Sequence, residues 1–420
     1  MPKQNSSYYS YSGYIGALVL IFGVLLSFTV EHSFGRNGLL FLIALATFIF
    51  MVVYELTHKS IFDRSIGVEH KKDDRNLYLL KSSLIRFLAL FFIFFLIYSL
   101  VQNHYYFKSN YFTITREFFT AMLYLYLIGG VPYIFLTLKF RGGDRWEFND
   151  YSILLLISYR TVIKGLFFKK GFKRLKNRRI WKVYLVYLVN LFFLTLMVKF
   201  FLSEYNATLS AYTRLTSESF EHLTFFKQYH TTYLFFYHFL FIIDVGIAVI
   251  GYSVASRWLD NRTKSVDMTM GGWFVALMCY PPMNSGFSDK FIGYGHISTH
   301  NIIYAEWAYM ILMALILTLF TIYVWATVAL GFKFSNLTNR GIVDRGPYAY
   351  IRHPAYATKN LAWWLDNTFV LSNFWASVAL FIWNGVYILR ALTEERHLKK
   401  DPAYIEYMKK VKYRFIPKVI

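Results

Sequence analysis

Residues 305–331 read AEWAYMILMALILTLFTIYVWATVALG, and this stretch decides the fold class. Its one charged residue, Glu306, stands near the start. A helix rises about 1.5 Å per residue, so the stretch is long enough to cross the roughly 30 Å hydrocarbon core of a bilayer. Backbone polar groups in lipid have to be paired within the segment, which a helix achieves. We therefore expect a membrane-spanning α-helix here.

The rest of the chain has the same character. Of its 420 residues, 56% are hydrophobic, 21% aromatic and only 16% charged. Soluble domains usually carry about 25% charged residues. No proline lies between Pro132 and Pro281, which favours long uninterrupted helices. The composition predicts an all-α protein, a polytopic transmembrane helical bundle.

Charge and apolarity together predict a topology. Ten stretches are candidate spans, the seventh and ninth of them short: 13–30, 38–56, 85–102, 117–138, 181–202, 232–255, 271–285, 305–331, 357–371 and 374–391. Most basic residues fall in alternate loops, namely 57–84, 139–180, 256–270 and 332–356. Because cytoplasmic loops are enriched in Lys and Arg, this alternation predicts about ten spans with both termini in the cytoplasm.

The formal net charge of +21 does not require a nucleic-acid partner. Residues 139–179 alone hold twelve Lys and Arg against three acids, which is typical of a cytoplasmic loop or of a surface for anionic lipid headgroups. No nucleic-acid-binding module is recognisable. Membrane lipids are therefore the expected partners.

The single cysteine, Cys279, excludes an internal disulfide and a multi-cysteine metal site, and no HExxH zinc motif occurs.

Polar motifs lie beside the last apolar stretches. They comprise Gly346, Pro347 and Tyr348, then Arg352, His353, Pro354 and Tyr356, and finally Glu394 with Glu395. Pro354 is suited to the first turn of a helix, and Arg352 and His353 would stand beside that turn. A helix start next to a cation is suited to an anion, such as a carboxylate or a phosphate.

The acid pair points to a ligand of the opposite charge. Glu394 and Glu395 follow the last span, so we expect them at the water interface, with Arg390 one turn earlier paired to Glu394. Carboxylates there are suited to an ammonium, a sulfonium or a ribose diol, whereas they would repel the phosphates of NADPH.

These motifs, with the final stretch 404–417 (YIEYMKKVKYRFIP), resemble the integral-membrane methyltransferase family of isoprenylcysteine carboxyl methyltransferase and phosphatidylethanolamine N-methyltransferase. The resemblance implies S-adenosylmethionine as cofactor. It implies that residues 346–348, 352–354 and Tyr356 shape the cofactor site, and that Glu394 and Glu395 hold the cofactor's polar end. The C-terminal architecture is also similar to that of sterol reductases, which use NADPH.

The chain departs from the methyltransferase pattern after Tyr356. Thr358 stands where a glycine is usual, and Lys359 and Asn360 stand where apolar or aromatic residues are usual. A lysine within a span is costly, so Lys359 should be engaged, either by an anionic acceptor or by the 2′-phosphate of NADPH.

We expect residues 1–230 to form an N-terminal transmembrane scaffold region and 231–420 a methyltransferase-like transmembrane domain with a cytoplasm-facing cofactor site. The predicted activity is methyl transfer from S-adenosylmethionine to an amphiphilic lipid or isoprenoid-type acceptor, with catalytic roles for Arg390 and Lys359. Two alternatives stay open: an NADPH-dependent reductase of the sterol-reductase type, and a non-enzymatic lipid-binding membrane protein.

Overall fold

The computed structural model describes residues 10–29, 35–58, 76–141, 151–168, 177–256, 258–288, 305–366 and 373–419. This part of the chain is almost entirely helical, which confirms the predicted all-α class. Its α-helices are α1 Ser12–Ser27, α2 Gly35–Thr57, α3 Asn76–Asn103, α4 Thr113–Arg141, α5 Tyr151–Phe168, α6 Arg178–Leu215, α7 Phe225–Ser253, α8 Met270–Met278, α9 Glu306–Leu330, α10 Pro354–Asp366, α11 Phe374–Leu398 and α12 Pro402–Lys410.

Within the described residues, seven helices are long and apolar enough to cross a bilayer, namely α2, α3, α4, α6, α7, α9 and α11. The ten predicted spans are therefore not all confirmed. The predicted first span is the 16-residue helix α1, and the seventh and ninth correspond to α8 and α10, with nine and 13 residues. Helices of nine or 13 residues are too short to cross a bilayer by themselves. The cytoplasmic position of both termini stays a prediction.

Helix α5 lies inside the stretch 139–180 that the charge pattern assigned to a loop. Leu154 and Leu155 of α5 are buried against Ile93 of α3 and Val183 of α6. The loop was predicted from the flanking basic residues. The apolar run ILLLI at 153–157 forms the face that packs against α3 and α6. Burial of that face explains why this stretch is a helix rather than an open loop.

The core of the bundle is formed largely by α6 and α7 with α1, α2 and α9 around them. Asp244, which the sequence placed within a span, accepts hydrogen bonds from Tyr323 Oη at 2.9 Å and Thr327 Oγ1 at 2.6 Å. It therefore joins α7 to α9. His238 lies six residues earlier in α7, and its Nδ1 is hydrogen-bonded to Glu204 Oε2 of α6 at 2.8 Å. Both acids serve as hydrogen-bonding links between helices.

Connecting segments form a cap over one end of α6, α7 and α9. Ser265–Val266 (β1) and Thr338–Asn339 (β2) form a two-residue antiparallel ladder. Next to β2, Arg340 is buried and donates to the carbonyl of Gly251 and to Asn190 Oδ1. Burial lowers the pKa of Arg340 to about 10. These contacts hold the segment 331–353, which carries the first C-terminal motifs, against α6 and α7.

Candidate functional site

Glu395 lies at the centre of a buried ionic cluster. Its carboxylate accepts hydrogen bonds from Arg352 Nε at 2.9 Å, from His353 Nε2 at 3.2 Å, and from Arg414 Nε at 3.0 Å and a terminal nitrogen at 2.9 Å. Glu395 is only 1% exposed. The hydrogen bond to this carboxylate is the main cause that raises the pKa of Arg414. The cluster ties α11 to the start of α10 and to the C-terminal segment.

This arrangement corrects two expectations. Glu395 does not lie at the water interface, because three basic side chains enclose it. The second expectation was an anion-binding site beside the start of α10. The anion that pairs with Arg352 there is the carboxylate of Glu395 itself. Arg352 also donates to the carbonyls of Val411 and Lys412 at 3.0 and 2.7 Å. These contacts give Arg352 and Glu395 a structural role, while their predicted contact with a cofactor stays a prediction.

Pro354 is the first residue of α10, as predicted. The two residues before it are fixed by the C-terminal segment. Arg352 N–H donates to Tyr413 O at 3.0 Å, and His353 N–H donates to Arg414 O at 2.9 Å. The His353 ring also stacks on the ring of Tyr356, with centroids 5.4 Å apart. The motif therefore places Tyr356 on the first turn of α10 and aims it at α11.

Glu394 points away from this cluster and lines a cavity. Its Oε2 accepts a hydrogen bond from Tyr356 Oη at 2.8 Å. The cavity has an empty volume of about 380 Å³, part of it open to solvent. The residues that line it are Asp267, Gly272, Ala276, Asn336, Leu337, Thr338, Tyr356, Arg390, Thr393, Glu394, His397 and Leu398. Adjacent glutamates thus have different environments, one facing the cavity and one buried in an ion cluster.

Arg390 brings a positive charge to the same cavity. Its guanidinium carbon lies 5.1 Å from the ring centroid of Tyr356, 5.4 Å from that of Tyr280 and 5.9 Å from that of Tyr387. A terminal nitrogen donates to Asn336 Oδ1 at 2.5 Å. The expected ion pair with Glu394 is absent among the described contacts, since the three rings and Asn336 orient the guanidinium instead.

The polar cavity residues that the sequence reasoning missed include Asp267, Asn336 and His397. Asn336 lies in the loop that carries Gly346 and could have been suspected from that position. His397 lies two residues after the acid pair, at the end of α11. Asp267 gave no signal, because it precedes α9 by a long interval and reaches the cavity only through the pairing of β1 with β2.

The glycine, proline and tyrosine of the first motif do not line the cavity. Gly346 has a φ of +56°, the left-handed region in which glycine is favoured, and a Cβ there would lie 3.2 Å from Ala329 Cβ and from Tyr14 Oη. Pro347 is buried, and Tyr348 O accepts a hydrogen bond from Tyr407 Oη at 2.8 Å. These residues fix the loop against α1, α9 and α12.

Lys359 also lies outside the residues that line the cavity. Its ammonium lies 5.3 Å from the ring centroid of Tyr323 and 5.2 Å from that of Trp363. Thr358 and Asn360 turn back to their own helix, where they donate to the carbonyls of Pro354 and Tyr356. The engaged lysine that the sequence predicted therefore lies against aromatic faces, and its catalytic role stays a prediction.

A second cavity, with an empty volume of about 580 Å³, lies among α2, α4, α6 and α7. Its lining is mainly apolar and includes Leu40, Phe41, Phe118 and Phe201, while Asn37 and Glu117 supply polar groups. None of the C-terminal motif residues lines it. The charged groups that suit a polar cofactor therefore belong to the smaller cavity.

Residues 307–400 match the family model of the isoprenylcysteine carboxyl methyltransferase (ICMT) family. The match runs from α9 through the acid pair, and it confirms the resemblance predicted for this region. Together with the apolar helical bundle, it supports an integral-membrane methyltransferase. No curated protein and no solved structure gives a significant match to the chain.

Proposed function

We propose that the protein is an S-adenosylmethionine-dependent methyltransferase of the membrane, acting on an amphiphilic lipid or isoprenoid-type acceptor. The proposal rests on the cavity that Glu394 and Arg390 both line. The two residues are one helical turn apart in α11, but they bond to Tyr356 and Asn336 rather than to each other. A site with one carboxylate and one guanidinium is suited to a ligand that carries both charges. The amino-acid end of S-adenosylmethionine is such a zwitterion.

The residues present fit this cofactor. Glu394, oriented by Tyr356, would hold the ammonium, and Arg390, oriented by Asn336, would hold the carboxylate. Such charge-assisted hydrogen bonds are about twice as strong as neutral ones. The buried Nδ1 of His397 has no hydrogen-bond partner among the described residues, which also favours a polar ligand in this cavity. NADPH would bring several phosphates to a cavity that contains two carboxylates, Asp267 and Glu394.

When bound, the cofactor supplies an electrophilic methyl group on a sulfonium, and its transfer is a direct displacement. The protein's own residues then have to align the acceptor and to exclude water. The rings of Tyr280, Tyr356 and Tyr387 around Arg390 supply an apolar wall for this purpose. A carboxylate acceptor would need no general base, whereas an amine or a hydroxyl would have to lose a proton.

The acceptor is proposed to enter from the bilayer, and the cofactor from the cytoplasm. Lys359 is proposed to attract an anionic group of the acceptor rather than of the cofactor, since its ammonium lies near the rings of Tyr323 and Trp363 and is not among the groups that line the cavity of Glu394. Residues 1–230 are proposed as the scaffold of the bundle. The larger apolar cavity, which α2, α4 and α6 line together with Val249 of α7, is proposed as space for an alkyl chain.

The test is a calorimetric titration of the purified protein with S-adenosylhomocysteine and, separately, with NADPH. We expect saturable binding of the first and none of the second. Glu394→Gln should weaken S-adenosylhomocysteine binding about tenfold or more, because it removes the charged partner of the ammonium. Glu406→Gln, on the exposed face of α12, is the matched control and should bind as the wild type does. Binding of NADPH alone would favour the reductase, and binding of neither would favour a lipid-binding protein.

A further inference from the structure

The imidazole of His397 has one satisfied and one unsatisfied nitrogen. The residue is 4% exposed, and Nε2 lies 3.0 Å from Ser265 Oγ of β1. Nδ1 is buried and has no hydrogen-bond partner among the residues that the structure describes. A buried polar atom left without a partner destabilises the folded state, because it has lost its hydrogen bonds to water. A ligand that forms a hydrogen bond with Nδ1 would explain why the protein leaves this atom unpaired.

His397 lines the same cavity as Glu394 and Arg390. Further lining comes from Asp267 and Gly272, which lie before the part of the chain that matches the family. A Cβ at Gly272 would lie 2.1 Å from Asp267 Oδ2, so only glycine lets the carboxylate occupy this position. The segment 265–272 thus holds His397 from one side and closes the cavity on that side.

Asp267 already has partners, which distinguishes it from His397. Its Oδ1 accepts from Thr269 N–H at 2.9 Å and from Thr269 Oγ1 at 2.7 Å, and Arg396 lies 3.5 Å from its Oδ2. These contacts precede the first turn of α8, where an acid is favourable. Asp267 is therefore explained by the start of α8, whereas nothing in the described structure completes the bonding of His397 Nδ1.

We infer that His397 Nδ1 binds a neutral polar group of the nucleoside part of the methyl donor, and that Ser265 fixes the imidazole for this contact. The inference rests on the proposed function. If Glu394 and Arg390 take the two charges of the amino-acid end, the hydrogen-bonding groups that remain on the methyl donor are the ribose hydroxyls and the adenine nitrogens, all neutral, because the sulfonium has no proton to donate. In a neutral imidazole, Nδ1 donates when Ser265 Oγ donates to Nε2, and Nδ1 accepts when Ser265 Oγ accepts from Nε2–H.

Two substitutions separate the nitrogens, because a Gln amide reaches the place of Nε2 and an Asn amide that of Nδ1. His397→Gln keeps the contact to Ser265 and loses the ligand contact. We expect it to weaken S-adenosylhomocysteine binding about tenfold, the effect of about 1.4 kcal/mol, with the thermal midpoint of the ligand-free protein nearly unchanged. His397→Asn should keep affinity within about threefold of wild type. The inference would be overturned if both variants bound S-adenosylhomocysteine as tightly as wild type does. It would also be overturned if both variants lost the same affinity, because His397 would then have a purely structural role.

Ligand analogues test the same contact on the unaltered protein. S-adenosylhomocysteine derivatives that lack the 2′-hydroxyl, the 3′-hydroxyl or single adenine nitrogens should include one that binds about tenfold more weakly. That analogue should be insensitive to His397→Gln, as a double-mutant cycle requires of a direct contact. If no analogue loses affinity, the inference is wrong.

The same titrations separate this inference from the proposed function. Should wild type bind S-adenosylhomocysteine, and Glu394→Gln weaken it, while the His397 variants and the analogues show no effect, only the role of His397 fails. Should wild type bind no S-adenosylhomocysteine, the proposed function fails and the inference falls with it.

Discussion

At the scale of single residues, the two adjacent glutamates have different environments and different partners. Glu395 lies in a buried cluster with Arg352, His353 and Arg414, and Glu394 lines the cavity. Successive residues on a helix are rotated by about 100°, so neighbours in sequence face different surroundings. The pair EE in the sequence therefore combines one structural group and one group available to a ligand.

Glu395→Gln should destabilise the fold. The amide cannot balance the charges of Arg352 and Arg414, and breaking a buried ion pair on one side typically costs about 3–5 kcal/mol. We expect a thermal unfolding midpoint lower by several degrees in detergent, measured by intrinsic fluorescence or light scattering.

Glu394→Gln is the matched control for this effect, since it makes the same change one residue earlier. It should leave the thermal midpoint near that of wild type while lowering affinity for S-adenosylhomocysteine. A Glu395→Gln protein as stable as wild type would show that the cluster contributes no net stability.

At the scale of elements, short connections rather than long helices position the site. Asp401 shows how. It accepts from the N–H of Ala403 at the start of α12 at 3.1 Å and from Asn339 Nδ2 of β2 at 2.8 Å, and it lies 3.7 Å from Lys264 Nζ. One carboxylate thus joins α12, β2 and the segment before β1. Because β1 and β2 carry residues beside the cavity, this contact bears on the shape of the site.

The charge of Asp401 predicts a pH dependence of stability. Burial alone would raise the pKa of this carboxyl, but the hydrogen bonds from Asn339 and Ala403 and the charge of Lys264 hold it below its usual value. Protonation therefore favours the unfolded state. The stabilisation should be complete above the unfolded pKa of about 3.9 and should be lost as the pH falls below it.

Asp401→Asn tests this effect, since it keeps a side chain that can cap α12 and removes the charge. At pH 7 the variant should be less stable by about 1 kcal/mol, the scale of one hydrogen bond. Thermal midpoints of the two proteins should converge as the pH falls below about 4. A difference that stays constant over this range would show that the charge of Asp401 is not responsible.

At the scale of the whole molecule, the membrane orientation decides which compartment supplies the cofactor. Helix α6 has 38 residues and is about 57 Å long, so both of its ends should project beyond the roughly 30 Å hydrocarbon core. The basic charge near its start predicts that Arg178 is cytoplasmic and that the turn after its end is on the opposite side.

Cysteine labelling tests the orientation in a Cys279→Ala background, which removes the protein's one cysteine. Ser219→Cys, in the exposed turn between α6 and α7, should react with an impermeant maleimide added to intact cells. Arg178→Cys, exposed at the start of α6, should react only after permeabilisation. The opposite pattern would place the cavity away from a cytoplasmic cofactor and would contradict the proposed enzyme.

The all-α membrane fold and the region of the candidate site could be predicted from the sequence alone. Apolar stretches as long as a bilayer is thick leave the backbone no alternative to the helix. Proline at the start of α10 and the charged motifs beside apolar helices located the residues around the cavity, because charge next to lipid is costly unless it is engaged.

Which of those residues line the cavity could not be predicted from the sequence, because it depends on tertiary contacts. Arg352 and Glu395 neutralise each other, Gly346 and Pro347 fix a loop, and Glu394, Arg390 and His397 line the cavity together with Asp267. Helix α5 was likewise hidden by the basic residues around it. In each case the deciding factor is contact between segments far apart in the chain. Such contact determines whether a charge is paired within the protein or left for a ligand, and local sequence does not encode it.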